Sequence, residues 1–598
     1  MCGIVACRTR GAAASFLLQA LATLEYRGYD SAGVAVRTRD GGTMRLRTTG
    51  RVATLAERVR REARLDLTGV GIGHTRWATH GGVRDDNAHP HADCTGRLQV
   101  VHNGIIENAT QLRAELESAG HVFASEVDSE VIAHLVEAAQ ASGDDLAAAV
   151  ASTAARLRGS WAVVVLESAT SRVVGTAFHA PLLVASSARG SYFASDASAI
   201  DRWVDDYQVL GDGDVVELGD PVTWSSDEPA RLRIPRLARS SGLGDHHDHM
   251  QKEIDEQPEM SASIIDALAL DAVSGTLWAD QALPPFDRVA VLGCGTSLNA
   301  GGVVGAAFRR FGSVPVTTVI ASEASELVVE PRTLVIAMSQ SGETADILRA
   351  LDSTALRDAA LLAITNNPHS TLARRAAAVM ACAAGHEVGV AASKTFVAQV
   401  LTGVLLAVSA LRATGRIDAE RASAVVDDLR RMPDLLAQSL AISKHAVPPL
   451  AAELAEATGF LFLGRGSGVV YAAEGALKLK ELTYRWAEHY PAGELKHGPL
   501  ALIEDGTPVI VIDDGDPRLA GNIAEVEARG GRVITIGGPG ASVPALGLSL
   551  AAPVAGGFRA CGPLESVIPL QVLARELALV LGRDVDKPRN LAKSVTVE

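Results

Sequence analysis

Val289-Ala290-Val291-Leu292-Gly293-Cys294-Gly295-Thr296-Ser297 decides the fold of the second half of this chain, because its form occurs twice. The counterpart is Leu461-Phe462-Leu463-Gly464-Arg465-Gly466-Ser467. Each is an apolar strand running into Gly-x-Gly and then a helix. Downstream, each copy shows a second strand, Leu334-Val335-Ile336-Ala337-Met338 and Val509-Ile510-Val511-Ile512. A third follows, Leu361-Leu362-Ala363-Ile364-Thr365 and Val533-Ile534-Thr535-Ile536. A strand–loop–helix unit repeated in this way reads as two α/β doubly wound lobes of parallel sheet. The first spans 251–425 and the second 426–598.

The first lobe carries Ser339-Gln340-Ser341-Gly342-Glu343-Thr344 after its second strand. Three hydroxyls and the N–H groups opening a helix form an anion cradle, and phosphate is the expected anion. Ordinary helix capping is the plainer alternative. A nucleoside triphosphatase loop is absent, and Leu298 stands where a dinucleotide fingerprint needs its third glycine. In the second lobe the equivalent loop is Asp513-Asp514-Gly515-Asp516, whose carboxylates repel phosphate. One sugar-phosphate site per chain follows. Glu474, Lys478 and Glu481 fall at i, i+4 and i+7 on one helix face, as either a positioned acid/base set or a surface salt-bridge ladder. Spacing alone favours the ladder, a structural role for His497 and a frayed end for Pro588–Ser594.

Residues 2–230 read differently, as short apolar strands with interspersed helices, an α+β sandwich. Residues 231–250 read as a linker; His246, His247 and His249 could bind a metal, but a solvated linker is the better reading. The chain has 598 residues, 47% hydrophobic and only 4% aromatic, with a net charge of -15. That charge argues against nucleic acid and anionic membranes as partners. The run Thr395–Leu411 is apolar but interrupted by polar residues and reads as a buried core helix. The six cysteines are scattered without a Cys-x-x-Cys pair, so neither a disulfide framework nor a zinc site is expected, and a reducing cytoplasm fits.

Met1-Cys2-Gly3 opens the chain. Loss of Met1 would put a thiol, with a pKa of roughly 8.5, beside an α-amine of roughly 8, giving a nucleophile with its own base.

Taken together, these residues resemble the glutamine–fructose-6-phosphate aminotransferase (isomerizing) family, also called glucosamine-6-phosphate synthase, over essentially the whole chain. The blocks that carry the resemblance are Cys2–Val5, Tyr26–Gly33, His74–Gly81, Asn87–His91, His102–Asn108, Ser339–Asp346, Glu474–Glu481, Gly493–Pro499 and Asp584–Glu598. The resemblance implies an N-terminal-nucleophile (αββα) glutaminase domain followed by two sugar isomerase (SIS) lobes. It implies that Cys2 attacks the glutamine amide, with Asn103 and Gly104 as oxyanion hole. Arg76 would hold the α-carboxylate, Asp128 the α-amine, Thr79 and His80 the pocket wall, and Trp77 the gate of an ammonia channel. Fructose 6-phosphate would bind Thr296, Ser297, Ser339, Gln340, Ser341 and Thr344. Lys593 would form a Schiff base, Glu481 would move the proton with Lys478 in support, and His497 would assist ring opening from a neighbouring subunit. No metal or organic cofactor is implied, and a homodimer is. Two departures stand out: Ala324-Ser325-Glu326 where relatives carry an aromatic-basic run, and Ala392 where they carry Ser. They keep open one rival, a paralogue aminating another ketose phosphate; a rival of another class, a non-catalytic sugar-phosphate sensor, is opposed by the presence of Glu481, His497 and Lys593.

Overall fold

The computed structural model describes residues 2–62, 67–77, 81–234, 242–353, 356, 359–537, 541–543 and 559–595. The chain forms two compact units, Met1–Ser240 with Ala592–Glu598, and Ser241–Leu591.

In the first unit, strand β1 (Gly3–Thr9) is followed by helix α1 (Ala13–Leu24). β1 pairs antiparallel with β2 (Leu67–Arg76) on one side and with Gly190–Ala194 on the other, inside an eight-stranded sheet. β3 (Leu98–Ile106) lies in a second, six-stranded antiparallel sheet, paired with Gly159–Glu167. The alternation of side chains builds the layers. Val5 and Cys7 of β1 pack beneath α1, while Ile4 and Ala6 point into a core shared with Val101, Val164 and Leu166 of the other sheet. Leu98 and Val100 face outward again, onto helix α2 (Glu130–Ala141). Helix, sheet, sheet, helix is the αββα order expected. Because both faces are covered, these strands read as continuous apolar runs.

In the second unit, β4 (Arg288–Gly293) feeds helix α3 (Gly295–Gly312), and β5 (Thr333–Ser339) lies beside β4. The parallel five-stranded sheet runs Val316–Ile320, β4, β5, Ala360–Thr365, Ala378–Ala381. Helix α4 (Lys394–Ala413) follows. In the second lobe β6 (Gly459–Gly464) leads into helix α5 (Gly468–Thr483), and β7 (Pro508–Ile512) pairs with β6. Its sheet runs Trp486–Pro491, β6, β7, Arg532–Ile536, also parallel and in the same order. The repeat is therefore real; besides the short Ala378–Ala381 at the far edge of the first lobe, each copy contains one strand at its near edge that periodicity does not indicate. Those edge strands, Val-Thr-Thr-Val-Ile and Trp-Ala-Glu-His-Tyr-Pro, are half exposed and lack a continuous apolar run.

One hydrophobic cluster joins both lobes, running from Val304 and Phe308 through Leu405 to Tyr471 and Leu573. Helix α4 lies in it. By length and composition α4 is apolar enough to cross a membrane, yet 89% of its most apolar window is buried in the protein. The stretch read as a linker is structured at both ends: Leu232–Arg233 pairs with Asp206–Tyr207, and Asp248 caps the helix His249–Asp255 through the Gln251 N–H at 2.7 Å.

The α3–α4 contact leaves no room at Gly403, where an added Cβ would lie 2.3 Å from Val304 Cγ2. Gly403→Ala would gain about 1 kcal/mol of helix propensity, against an overpacking cost of typically 1–3 kcal/mol. Denaturant melting should therefore show a destabilised second unit, and a stabilised one would contradict this packing.

Candidate active sites

In the first unit the site forms where β1 begins, β2 ends and β3 passes opposite. The Trp77 peptide N–H, just beyond β2, donates to Cys2 Sγ at 3.3 Å. Gly3 is fixed by packing: a Cβ there would meet Thr75 Oγ1 at 2.7 Å and Leu24 Cβ at 2.9 Å. Asn103, on β3, donates from Nδ2 to the Cys2 carbonyl at 3.1 Å. Its orientation is set by His74, whose Nε2 faces Asn103 Oδ1 at 3.1 Å and the His102 carbonyl at 2.9 Å. An amide nitrogen carries two hydrogens, so one remains for a developing oxyanion. Gly104 has φ +125°, and a Cβ there would lie 2.0 Å from the Ser160 carbonyl, so only glycine fits.

Asp128 precedes α2. Its Oδ2 accepts the Ile106 N–H at 2.8 Å, and Ser129 Oγ donates to Oδ1 at 3.3 Å. Ser129 in turn contacts His102 Nδ1 at 2.8 Å. Arg76, at the end of β2, is buried, and burial lowers its pKa against the attraction of Cys2, Asp30 and Asp128. Burial pushes the Cys2 thiol up, opposed by the chain's terminal amine, the Trp77 backbone and Arg76. Trp77 packs edge-on against Tyr29 with centroids 5.6 Å apart. Cys2, Arg76, Trp77, Asn103, Gly104 and Asp128 are thus gathered in one site. Thr79 and His80 lie outside the described residues. The sequence reading gave no role to His74, His102 or Ser129, which hold the site from behind.

In the second unit the hydroxyl loop caps itself. Ser339 Oγ lies 2.9 Å from Thr344 Oγ1 and accepts the Gly342 N–H at 3.0 Å, while Ser341 Oγ accepts the Glu343 N–H at 3.1 Å. Gly342 has φ +67°, with Ser370 Oγ 1.9 Å from where a Cβ would sit. Gln340 holds the next strand's exit through its carbonyl, which accepts the Asn366 N–H at 3.1 Å. In the second lobe the helix start is closed by the protein's own carboxylate. Asp514 Oδ2 accepts from Ser467 Oγ at 3.1 Å and the Gly468 N–H at 3.3 Å.

The charged face of α5 is buried, which rules out a surface ladder. Glu474 and Lys478 are both 0% exposed. Lys478 Nζ lies 2.5 Å from Glu481 Oε2 and 3.7 Å from Glu474 Oε1. Burial acts to strip the lysine proton, but the two carboxylates outweigh it and raise the pKa. Burial raises Glu474, countered by Lys478 and by bonds from Asn299 Nδ2 at 2.8 Å and Thr296 Oγ1 at 3.0 Å. Thr296 and Asn299 belong to α3, so Glu474 ties the lobes together. Ser297 Oγ accepts from Gln399 Nε2 at 3.1 Å. His497 is exposed, in the turn Ala492–His497, with no hydrogen bond or ion pair to Lys478 or Glu481. Lys593 is half-buried and falls with the first unit.

Comparison with known proteins defines the class. Residues 74–202 match the glutamine amidotransferase domain family, and residues 285–409 and 453–580 each match the SIS domain family. The chain is similar along its full length, and the full length of each relative, to glutamine–fructose-6-phosphate aminotransferase [isomerizing] from Thermus thermophilus (40% identical) and Streptomyces coelicolor (41%). It also resembles the C-terminal domain of glucosamine-fructose-6-phosphate aminotransferase from Francisella tularensis, with 30% identity and a TM-score of 0.52, covering 58% of this chain and all of that one. The protein is thus an amidotransferase-type enzyme with a glutamine amidotransferase domain joined to two SIS domains. The chain belongs to the glutamine–fructose-6-phosphate aminotransferase (isomerizing) family.

The histidines behind Asn103 generate a pH prediction. His74, His89, His91 and His102 are fully buried, and burial lowers every one, His74 to about 3. They stay neutral when folded and gain protons when unfolded. Below about pH 6.5 each kept neutral should cost up to about 1.4 kcal/mol per pH unit, so stability falls as pH falls. The melting midpoint of the first unit should drop between pH 7.5 and 5.5, and a flat profile there would contradict neutral burial.

Proposed function

We propose that this enzyme takes the amide nitrogen of glutamine and uses it to convert fructose 6-phosphate into glucosamine 6-phosphate, releasing glutamate. The observation that carries this reading is the presence in one chain of two kinds of site. One holds a cysteine among an amide, a buried arginine and an anchored carboxylate. The other holds a hydroxyl loop at a helix start and a buried carboxylate–lysine–carboxylate face.

In the first site Cys2 Sγ attacks the glutamine side-chain carbonyl, and the amine of Cys2, freed by loss of Met1, takes the thiol proton. The second Asn103 amide hydrogen and the Gly104 N–H stabilise the oxyanion, worth a few kcal/mol per donor. Arg76 pairs with the substrate carboxylate, ideally bidentately, and Asp128 with its amine. Thr79 and His80 complete the wall, and Trp77 gates the released ammonia toward the sugar site.

In the second site Ser339, Gln340, Ser341 and Thr344, with Thr296 and Ser297 at the neighbouring helix start, hold the phosphorylated sugar. Lys593 condenses with its C2 carbonyl to a Schiff base, releasing water. Ammonia then displaces the Lys593 amine from C2, regenerating the free lysine, and Glu481 transfers the proton between C1 and C2 to give the 2-amino aldose phosphate. Lys478, 2.5 Å away, holds that carboxylate in place. His497, exposed and apart from the cluster, assists ring opening in a second copy of the chain, which makes the working form a homodimer. A cytosolic enzyme fits the six unpaired cysteines.

Replacing Cys2 by Ala should abolish glutamine-dependent synthesis while leaving conversion of fructose 6-phosphate to glucose 6-phosphate intact. Retained glutamine-dependent synthesis would refute the nucleophile. Lys593→Ala should remove sugar turnover and spare slow glutamine hydrolysis, so surviving sugar chemistry would refute the Schiff base. Assay with a panel of ketose phosphates should single out fructose 6-phosphate.

A further inference from the structure

The glutaminase fold brings together four side chains that the proposed chemistry does not use. Cys94 sits in the turn before β3, His121 in the segment between Ala109–Ser118 and α2, and His134 and Glu137 at i and i+3 of α2. One ligand atom from each lies within 4.8 Å of every other. Cys94 Sγ is 3.6 Å from His121 Nδ1 and 3.5 Å from His134 Nδ1. The two Nδ1 atoms are 3.3 Å apart. Glu137 Oε2 is 2.9 Å from His121 Nδ1 and 3.3 Å from His134 Nδ1.

Those are five of the six edges of a tetrahedron of coordination size, and the sixth, Cys94 to Glu137, is within 4.8 Å. Bonds of about 2.0–2.1 Å to nitrogen or oxygen and about 2.3 Å to sulfur, at tetrahedral angles, require edges of about 3.3 Å and about 3.6 Å respectively. Protons alone serve this geometry poorly. Each Nδ1 carries at most one hydrogen, yet each faces a sulfur, a carboxylate oxygen and the other nitrogen.

We propose that Cys94, His121, His134 and Glu137 form a structural binding site for a divalent metal of the zinc class. The donor set of one thiolate, two imidazoles and one carboxylate suits a borderline-soft ion. Binding replaces the Cys94 thiol proton, which leaves to solvent, and the two anionic ligands then neutralise a dication. Four protein ligands leave no open position, so the ion is structural rather than catalytic. With Nδ1 of His134 on the metal, its Nε2 carries the hydrogen, and Glu130 Oε1 lies 3.8 Å from that atom in the place of an outer-shell carboxylate. The ion fastens the turn that leads into β3, which carries Asn103 and Gly104, to α2, whose start follows Asp128. The scattered cysteines do not announce this site, because its donors come from three separate segments and include one cysteine only.

The test is metal content of the full-length protein purified without chelator, by mass spectrometry, followed by zinc titration of the stripped protein. About one zinc per chain is expected, and Cys2→Ala should keep it. Cys94→Ser, an isosteric change at an exposed residue, should weaken zinc by more than the roughly 10- to 100-fold typical of outer-shell changes. Cobalt in place of zinc should give a thiolate charge-transfer band in the parent protein and none in Cys94→Ser. A parent protein that neither contains zinc nor takes it up, or a Cys94→Ser variant that binds it as tightly as the parent, would overturn the proposal.

Discussion

The ammonium of Lys478 is held without solvent between Glu474 and Glu481, and the sugar half of the molecule is organised around it. A lone buried charge is strongly disfavoured, and removing one partner of such a pair typically costs about 3–5 kcal/mol. The cation is therefore retained only while both carboxylates stay in place. Glu474 stays because Thr296 and Asn299 of the first lobe bond to its two oxygens. The same interaction thus fixes the charge on α5, the junction of the two lobes and the start of α3. Glu481 is the less buried of the two carboxylates.

The first unit uses the opposite electrostatic solution. Where α5 buries an ammonium between two carboxylates, the first unit's site is backed by histidines that burial keeps neutral. A neutral His74 donates from Nε2 and fixes the direction of the Asn103 amide. A protonated cluster beside Arg76 would add cations where the site already holds one. Asp128 is likewise positioned by a backbone N–H, that of Ile106.

Much of this was legible in the chain. The doubled strand–Gly-x-Gly–helix pattern identified both lobes, because parallel strands buried on both faces leave an unmistakable apolar run. The missing edge strands were illegible for the complementary reason: one side faces water, so Val316–Ile320 and Trp486–Pro491 carry polar residues. The spacing of Glu474, Lys478 and Glu481 gave their common face but not their burial, which depends on α3 from elsewhere in the sequence. Resemblance to a family, rather than spacing, pointed to their role. The supports behind Asn103 and the Cys94–His121–His134–Glu137 cluster are tertiary products, assembled from segments with no local signature.

The central claim is that two chemically distinct sites act in one relay. It is tested most directly by supplying glutamine labelled with nitrogen-15 in its side-chain amide, together with fructose 6-phosphate and an excess of unlabelled ammonium, and measuring the isotope in the glucosamine 6-phosphate formed. The account predicts product carrying the label almost undiluted. Product whose nitrogen matches the ammonium in solution would contradict it.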